Sequence, residues 1–227
     1  MVGIVTPVPY LVAVLTVLAG GGALCVAARR SPGRWVVRTG RMISLLLVAD
    51  AVSYVVSELL ARTWSPATDL PLALCDVAVL VAAAACWWRR PLLVELTYFW
   101  GLAGTLQAVI TPDLSGGFPH LVFFQYLAGH LGIVLAAFYL VVGLRIVPRP
   151  GSVRTVFAIT LAYTAIVGLV DTLSGANYMF LRRPPGNWTL LRVLGPWPWY
   201  LLSAAVVALA LLGALNLPFW IARHRHG

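Results

Sequence analysis

Lysine is absent from this chain; all 16 of its basic residues are arginine. Charge of either sign is scarce, with 10% of residues charged against 61% hydrophobic and a mean hydropathy of +0.91. Soluble domains carry about 25% charged residues, so a soluble globular protein is excluded and a membrane protein is implied. Cysteine is sparse too. Cys25, Cys75 and Cys86 lie within or at the edge of apolar runs, with no metal-ligand spacing. Neither a disulfide framework nor a metal site is expected, and no cofactor is called for. The net charge of +9 raises nucleic acid as a partner, but the arginines fall between apolar runs rather than on one basic face. Contact with membrane lipid and its anionic headgroups is the expected partnership, not nucleic acid. The N-terminus lacks both a charged leader and a small-x-small cleavage site, so its apolar run reads as a retained span. Leu24 before Cys25 is a poor match to a lipoprotein cleavage site.

What the chain has instead is seven apolar runs. A membrane-crossing helix needs about 20 mostly apolar residues, and residues 9–28, 41–61, 70–88, 92–110, 120–144, 154–173 and 197–221 qualify. The gaps carry loop signals such as "RRSPGR", "RRP", "TPDLSGGFP", "VPRPGS" and "RRPPGN". No internal repeat and no separate soluble region stands out. The expectation is an all-α, single-domain seven-transmembrane helix bundle over residues 1–227, because helices satisfy their backbone hydrogen bonds inside lipid. Arginines test the orientation: twelve fall in the first, third and fifth loops and the C-terminal tail, and four in the remaining connections. The positive-inside rule then puts the N-terminus outside and the C-terminus in the cytoplasm, as expected for a multi-pass protein of a bacterial plasma membrane.

That orientation assigns depths. Cys75 and Asp76 fall about 8 Å below the outer end of span three at 1.5 Å per residue. Gln125 and His130 lie in the outer half of span five, and Glu58, Gln107 and Asp171 near the outer ends of spans two, four and six. Asp50 is nearer mid-span and Glu95 nearer an inner end. Ionisable groups inside a span cost roughly 2.5–3.5 kcal/mol each, so several at one level mark a functional cavity. Cys75 and His130 are the candidate catalytic pair: an imidazole can hold a thiol as thiolate and shuttle its proton. The plainer alternative is a packing cysteine and an interhelical hydrogen-bonding histidine. Asp76 points about 100° away from Cys75 on a helix, so it suits a neighbouring helix or a substrate headgroup instead. His120 sits at the outer mouth of span five. Asn177, Arg182 and Arg183 fall in the outer loop "NYMFLRRPP", where arginine could hold a phosphate, ahead of the aromatic belt of Trp197, Trp199 and Tyr200.

The ordered set "LPLALCDVA", "ELTYFWGLAGTLQAVITPDL", "FPHLVFFQYLAGHLGIV", "PRPGS", "NYMFLRRPP" and "LGPWPWY" resembles the bacterial YwaF-like integral membrane proteins over roughly residues 70–220. Relatives of that family include a eukaryotic multi-span acyltransferase that forms ether-linked phospholipids. The resemblance implies a catalytic cysteine at Cys75 and a catalytic histidine at His130. It also implies a histidine two positions before the cysteine, where this chain has Ala73. The expected function is therefore lipid acyl transfer or ester hydrolysis on a phospholipid. Gln107 or Asn177 would donate to the oxyanion, and Asp76, His120, Gln125, Asp171, Arg182 and Arg183 would line the substrate site. Two other classes stand beside it: a transporter or binding protein whose polar residues line a path, and a structural membrane protein whose polar residues only join helices.

Overall fold

The computed structural model describes residues 7–62, 64–112, 116–184 and 190–225. Seven long helices dominate: α1 (Pro7–Arg30), α2 (Arg34–Ala61), α3 (Leu74–Trp88), α4 (Pro91–Ile110), α5 (Leu121–Gly143), α6 (Ser152–Ser174) and α7 (Trp199–His224). Short turns at Tyr178–Phe180 and Leu190–Val193 join α6 to α7. The described residues contain no strand.

Local chemistry sets the ends. Arg29 and Arg30 close α1, where cations suit the negative end of the helix dipole. Pro91 opens α4 in its first turn, a position where its missing N–H is not needed. Gly151 and Gly175 flank α6 with φ of 82° and 78°, left-handed values at which glycine carries no Cβ penalty. Span two starts at Arg34 rather than at residue 41, because "RWVVRTGR" stays helical while its arginines reach outward along apolar stems; the Arg41 guanidinium lies 5.2 Å from the Trp87 ring centroid. Span three starts at Leu74 rather than at residue 70. Leu70 N–H and Leu72 C=O are taken by tyrosine hydroxyls instead of a helical ladder, and the Asp76 carboxylate accepts the Ala73 N–H at 3.1 Å.

Among the described residues six helices are long and apolar enough to cross a membrane, so this is a multi-pass membrane bundle. The exception is α3. Its 15 residues span roughly 22 Å at 1.5 Å per residue, short of a hydrocarbon core of about 30 Å. Irregular backbone, residues 64–73, leads into it. Such backbone needs protein partners, and it has them: Tyr178 Oη accepts Leu70 N–H at 2.9 Å and donates to Pro66 O at 2.8 Å, while Tyr163 Oη donates to Leu72 O at 2.9 Å.

The short helix is also the central one, packed on α2, α4 and α5. Ala78, Ala82, Ala83, Ala85 and Cys86 form its buried face. Small side chains let helix backbones approach closely where lipid supplies no hydrophobic drive to association. At the far end of α4 the buried Glu95 receives the Arg149 fork, Nε to Oε1 and Nη2 to Oε2, both at 2.9 Å. α1 packs on α5, and α6 packs on α7 and α4. α4 and α5 each contain a π-turn, at Gly101–Thr105 and Tyr139–Gly143. Such turns recur at functional sites.

Candidate functional site

A cavity of about 490 Å³ opens between α2, α3 and α5, walled by Val48, Val52, Val79, Leu80, Val122 and Ile133, among others. Its polar groups are Asp50, Cys75, Asp76, Gln125 and His130, with Tyr54 and Tyr126. No arginine lines it. Val52, Leu80 and Val122 are also exposed on the helix surfaces, so the apolar rim continues onto the outside of the bundle.

Cys75 lies in the first turn of α3, with Ala73 as the residue that begins the helix. Alanine has no side-chain oxygen to cap a helix. Asp76 and Val77 N–H turn back to Ala73 O, while Leu74 and Cys75 N–H have no acceptor among the described residues. Two backbone donors at the positive end of the α3 dipole are thus left free beside the thiol. The buried Thr105 hydroxyl donates to Cys75 Sγ across 3.9 Å. Thr97 on the same helix bonds back to Leu93 O, whereas Thr105, inside the π-turn, reaches across to α3.

His130 is held from both sides of its ring. Nδ1 lies 2.8 Å from Tyr126 O; a carbonyl can only accept, so Nδ1 carries the proton and Nε2 keeps its lone pair. The ring stacks on Tyr126 with centroids 4.1 Å apart, and Tyr126 Oη donates to Ala108 O on α4 at 2.7 Å. Cys75 and His130 share the cavity but are not hydrogen-bonded to each other. Gln125 donates to Ser53 Oγ at 3.0 Å and Ser57 Oγ at 3.4 Å, and its buried Oε1 has no partner among the described residues. Asp50 reaches in from α2 over Gly129, whose missing Cβ leaves room for Oδ2.

The expected polar residues divide between this cavity and other places. Cys75, Asp76, Gln125 and His130 come together here. Gln107 is exposed and donates to its own helix at Ala103 O, 3.0 Å. His120 is exposed where it precedes α5. Asp171, Asn177, Arg182 and Arg183 belong to a separate knot formed by the last turn of α6 and the loop that follows it. There Asp171 Oδ1 accepts Tyr178 N–H at 2.9 Å, and Asn177 Oδ1 accepts the N–H groups of Arg182 and Arg183 at 2.9 and 3.1 Å. Asn177 Nδ2 is spent on Arg183 O at 3.0 Å. Four residues absent from the expected site join it: Asp50, Tyr54 and Tyr126 in the lining, and Thr105 against Cys75. Asp50 had a signal, an acid inside a span, but its depth alone separated it from the others. Thr105 had none, because a π-turn leaves no pattern in the sequence. No group of three or more His, Cys, Asp or Glu residues is placed to hold a metal ion among the described residues.

Comparison with known proteins adds the lineage. An uncharacterized protein of Treponema pallidum (strain Nichols) is 30% identical over 165 residues, which cover 72% of this chain and 66% of that relative's length. The aligned part therefore falls just short of two thirds of the relative. No solved structure matches the chain. The model of the TMEM164 family matches residues 4–216, from ahead of α1 into α7. With the match running through every helix of the bundle, this multi-span membrane protein belongs to the TMEM164 family.

Proposed function

We propose that this protein is a lipid-modifying enzyme of a bacterial plasma membrane, transferring or hydrolysing phospholipid acyl groups through Cys75 and His130. The observation that carries the reading is their presence in one mostly apolar cavity, with a basic imidazole nitrogen left free and unbonded N–H groups beside the sulfur. The acyl chain occupies the apolar walls and its ester carbonyl lies against the first turn of α3. Cys75 turns from Thr105 toward His130, which takes the thiol proton on Nε2. Sulfur then attacks the carbonyl carbon; the C–S bond forms and the carbonyl electrons move onto oxygen. Leu74 and Cys75 N–H donate to that oxygen, the role expected of Gln107 or Asn177 and unfilled by either. As the tetrahedral state collapses, the C–O bond to the lipid breaks and the leaving alkoxide takes the proton from His130. A second hydroxyl, from water or a lysolipid, is placed by the free Gln125 Oε1. It gives its proton to His130 as its oxygen attacks the thioester carbonyl; the new C–O bond forms, the C–S bond breaks, and the leaving thiolate takes the proton back from His130 to regenerate the thiol.

With the N-terminus outside, as the arginine distribution leads us to expect, the cavity would lie in the outer half of the bilayer. The test is covalent labelling of purified protein by an acyl-ester activity probe, with lipid turnover followed in parallel. Cys75→Ala and His130→Ala, each folded by gel filtration, are expected to lose both. Unchanged labelling and turnover in the two variants would overturn the proposal. Gradient-dependent uptake into proteoliposomes without lipid turnover would point to a transporter.

A further inference from the structure

A second cavity, of about 370 Å³, lies on the opposite flank of α5, between it and α1. Its walls come from Val17, Leu18, Gly22 and Val26 on α1 and from Leu135 and Phe138 on α5. α1 is fastened to the bundle near its two ends. Tyr10 Oη donates to Val109 O near its start, and Arg29 Nε donates to Val142 O at 2.6 Å near its finish. Between those anchors Gly21 lets α1 close on α5, with Leu135 Cδ1 2.7 Å from where a Cβ would stand, and the groove runs beside that contact. Gly22 faces open space, with nothing within 4 Å of where its Cβ would stand.

Arg29 lines the same groove and is exposed. Nε is its one hydrogen-bonding atom with a partner among the described residues, so the rest of the guanidinium is available. No acidic residue lines the groove. A slot with hydrocarbon walls and an arginine at one end matches a lipid with an apolar chain and an anionic headgroup, since guanidinium binds phosphate oxygens through charge-assisted hydrogen bonds.

We propose that the α1–α5 groove is a binding site for one anionic phospholipid of the surrounding bilayer. The acyl chain lies along Gly22 and Phe138, and the phosphate is held by Arg29. The occupant is a resident lipid, separate from the Cys75 cavity and independent of any reaction there.

The experiment is native mass spectrometry of the full chain, delipidated and then titrated with phosphatidylglycerol or phosphatidylcholine. The wild-type protein is expected to retain one phosphatidylglycerol at concentrations where phosphatidylcholine is stripped. Gly22→Leu fills the slot and Arg29→Gln removes the charge while keeping a donor for Val142 O. Each is expected to weaken retention about tenfold or more, the equivalent of about 1.4 kcal/mol. Equal retention of the two lipids, or retention unmoved in both variants, overturns the proposal. A dimer that forms in place of the lipid adduct and is lost in Gly22→Leu also overturns it, by assigning the groove to a second copy of the chain. A circular dichroism melt checks that both variants are folded.

Discussion

The carboxylate of Asp50 occupies the space that a side chain at Gly129 would fill; a Cβ there would lie 2.9 Å from Oδ2. This one contact ties α2 to α5 beside His130 and fixes where a second acid enters the cavity.

Replacing a helical glycine by alanine ordinarily stabilises by about 1 kcal/mol. At position 129 that gain meets the Asp50 carboxylate, which must move. Gly129→Ala is therefore expected to gain about 1 kcal/mol in an Asp50→Ala background and markedly less, or to lose stability, with Asp50 present. Thermal melts of the four proteins of this cycle measure the coupling, and strict additivity would contradict the contact.

Thr105 is expected to set the reactivity of Cys75 through its hydroxyl. A hydrogen bond of ordinary net worth, about 0.5–1.5 kcal/mol, corresponds to roughly a 2–10-fold change in rate. Thr105→Val should slow alkylation of Cys75 by a membrane-permeant maleimide by about that factor, and Thr105→Ser should keep the native rate. Cys25 and Cys86, both buried, are replaced by alanine beforehand so that the signal reports one thiol.

Tyr178 straps the irregular segment that leads into α3, through one hydroxyl that serves both Leu70 N–H and Pro66 O. Tyr178→Phe leaves a donor and an acceptor unpaired, at a cost of about 1–3 kcal/mol. Hydrogen exchange across residues 65–72 should quicken by about tenfold or more, with α5 unaffected. Wild-type exchange at Leu70 would show that the strap does not hold the segment.

Glu95 is 1% exposed and its carboxylate depends on Arg149. Removing the guanidinium leaves the buried carboxylate with only the backbone N–H of residue 149, at 2.8 Å from Oε1, and no countercharge, which is worse than removing both charges. Arg149→Ala is expected to lower the melting temperature by about 5 °C or more, and adding Glu95→Gln should recover most of the loss. A double variant no more stable than Arg149→Ala would mean that the pair is not what Glu95 requires.

The bundle could be read from the sequence because its cause is local. Twenty apolar residues in a row select a membrane-spanning helix whatever their neighbours do, and Pro91, Gly151 and Gly175 mark ends by backbone chemistry alone. Even so, the apolar pattern runs past the start of α3, which begins at Leu74 rather than at residue 70. The apolar letters "PLAL" continue its pattern, and only the hydroxyls of Tyr163 and Tyr178, about 100 residues away in the chain, show that this stretch is not helical. Where a histidine was expected, the chain has the residue that begins α3, its N–H held by Asp76 and its side chain offering no cap.

By itself, the sequence determined that the chain spans a membrane as helices, and it ordered the polar residues along each span where the helix is unbroken; the constant rise per residue fails for Cys75 and Asp76, because the backbone ahead of Leu74 is not helical. It singled out Cys75 and His130 by their chemistry, with a family resemblance beside it. Only the tertiary structure decided which polar residues share a cavity. Depth says nothing about azimuth: which side of a helix faces its neighbours depends on how the helices rotate to pack. Gln107 faces out, Asp171 in the last turn of α6 bonds into a knot of its own, and Asp50 faces in over a glycine that leaves it room.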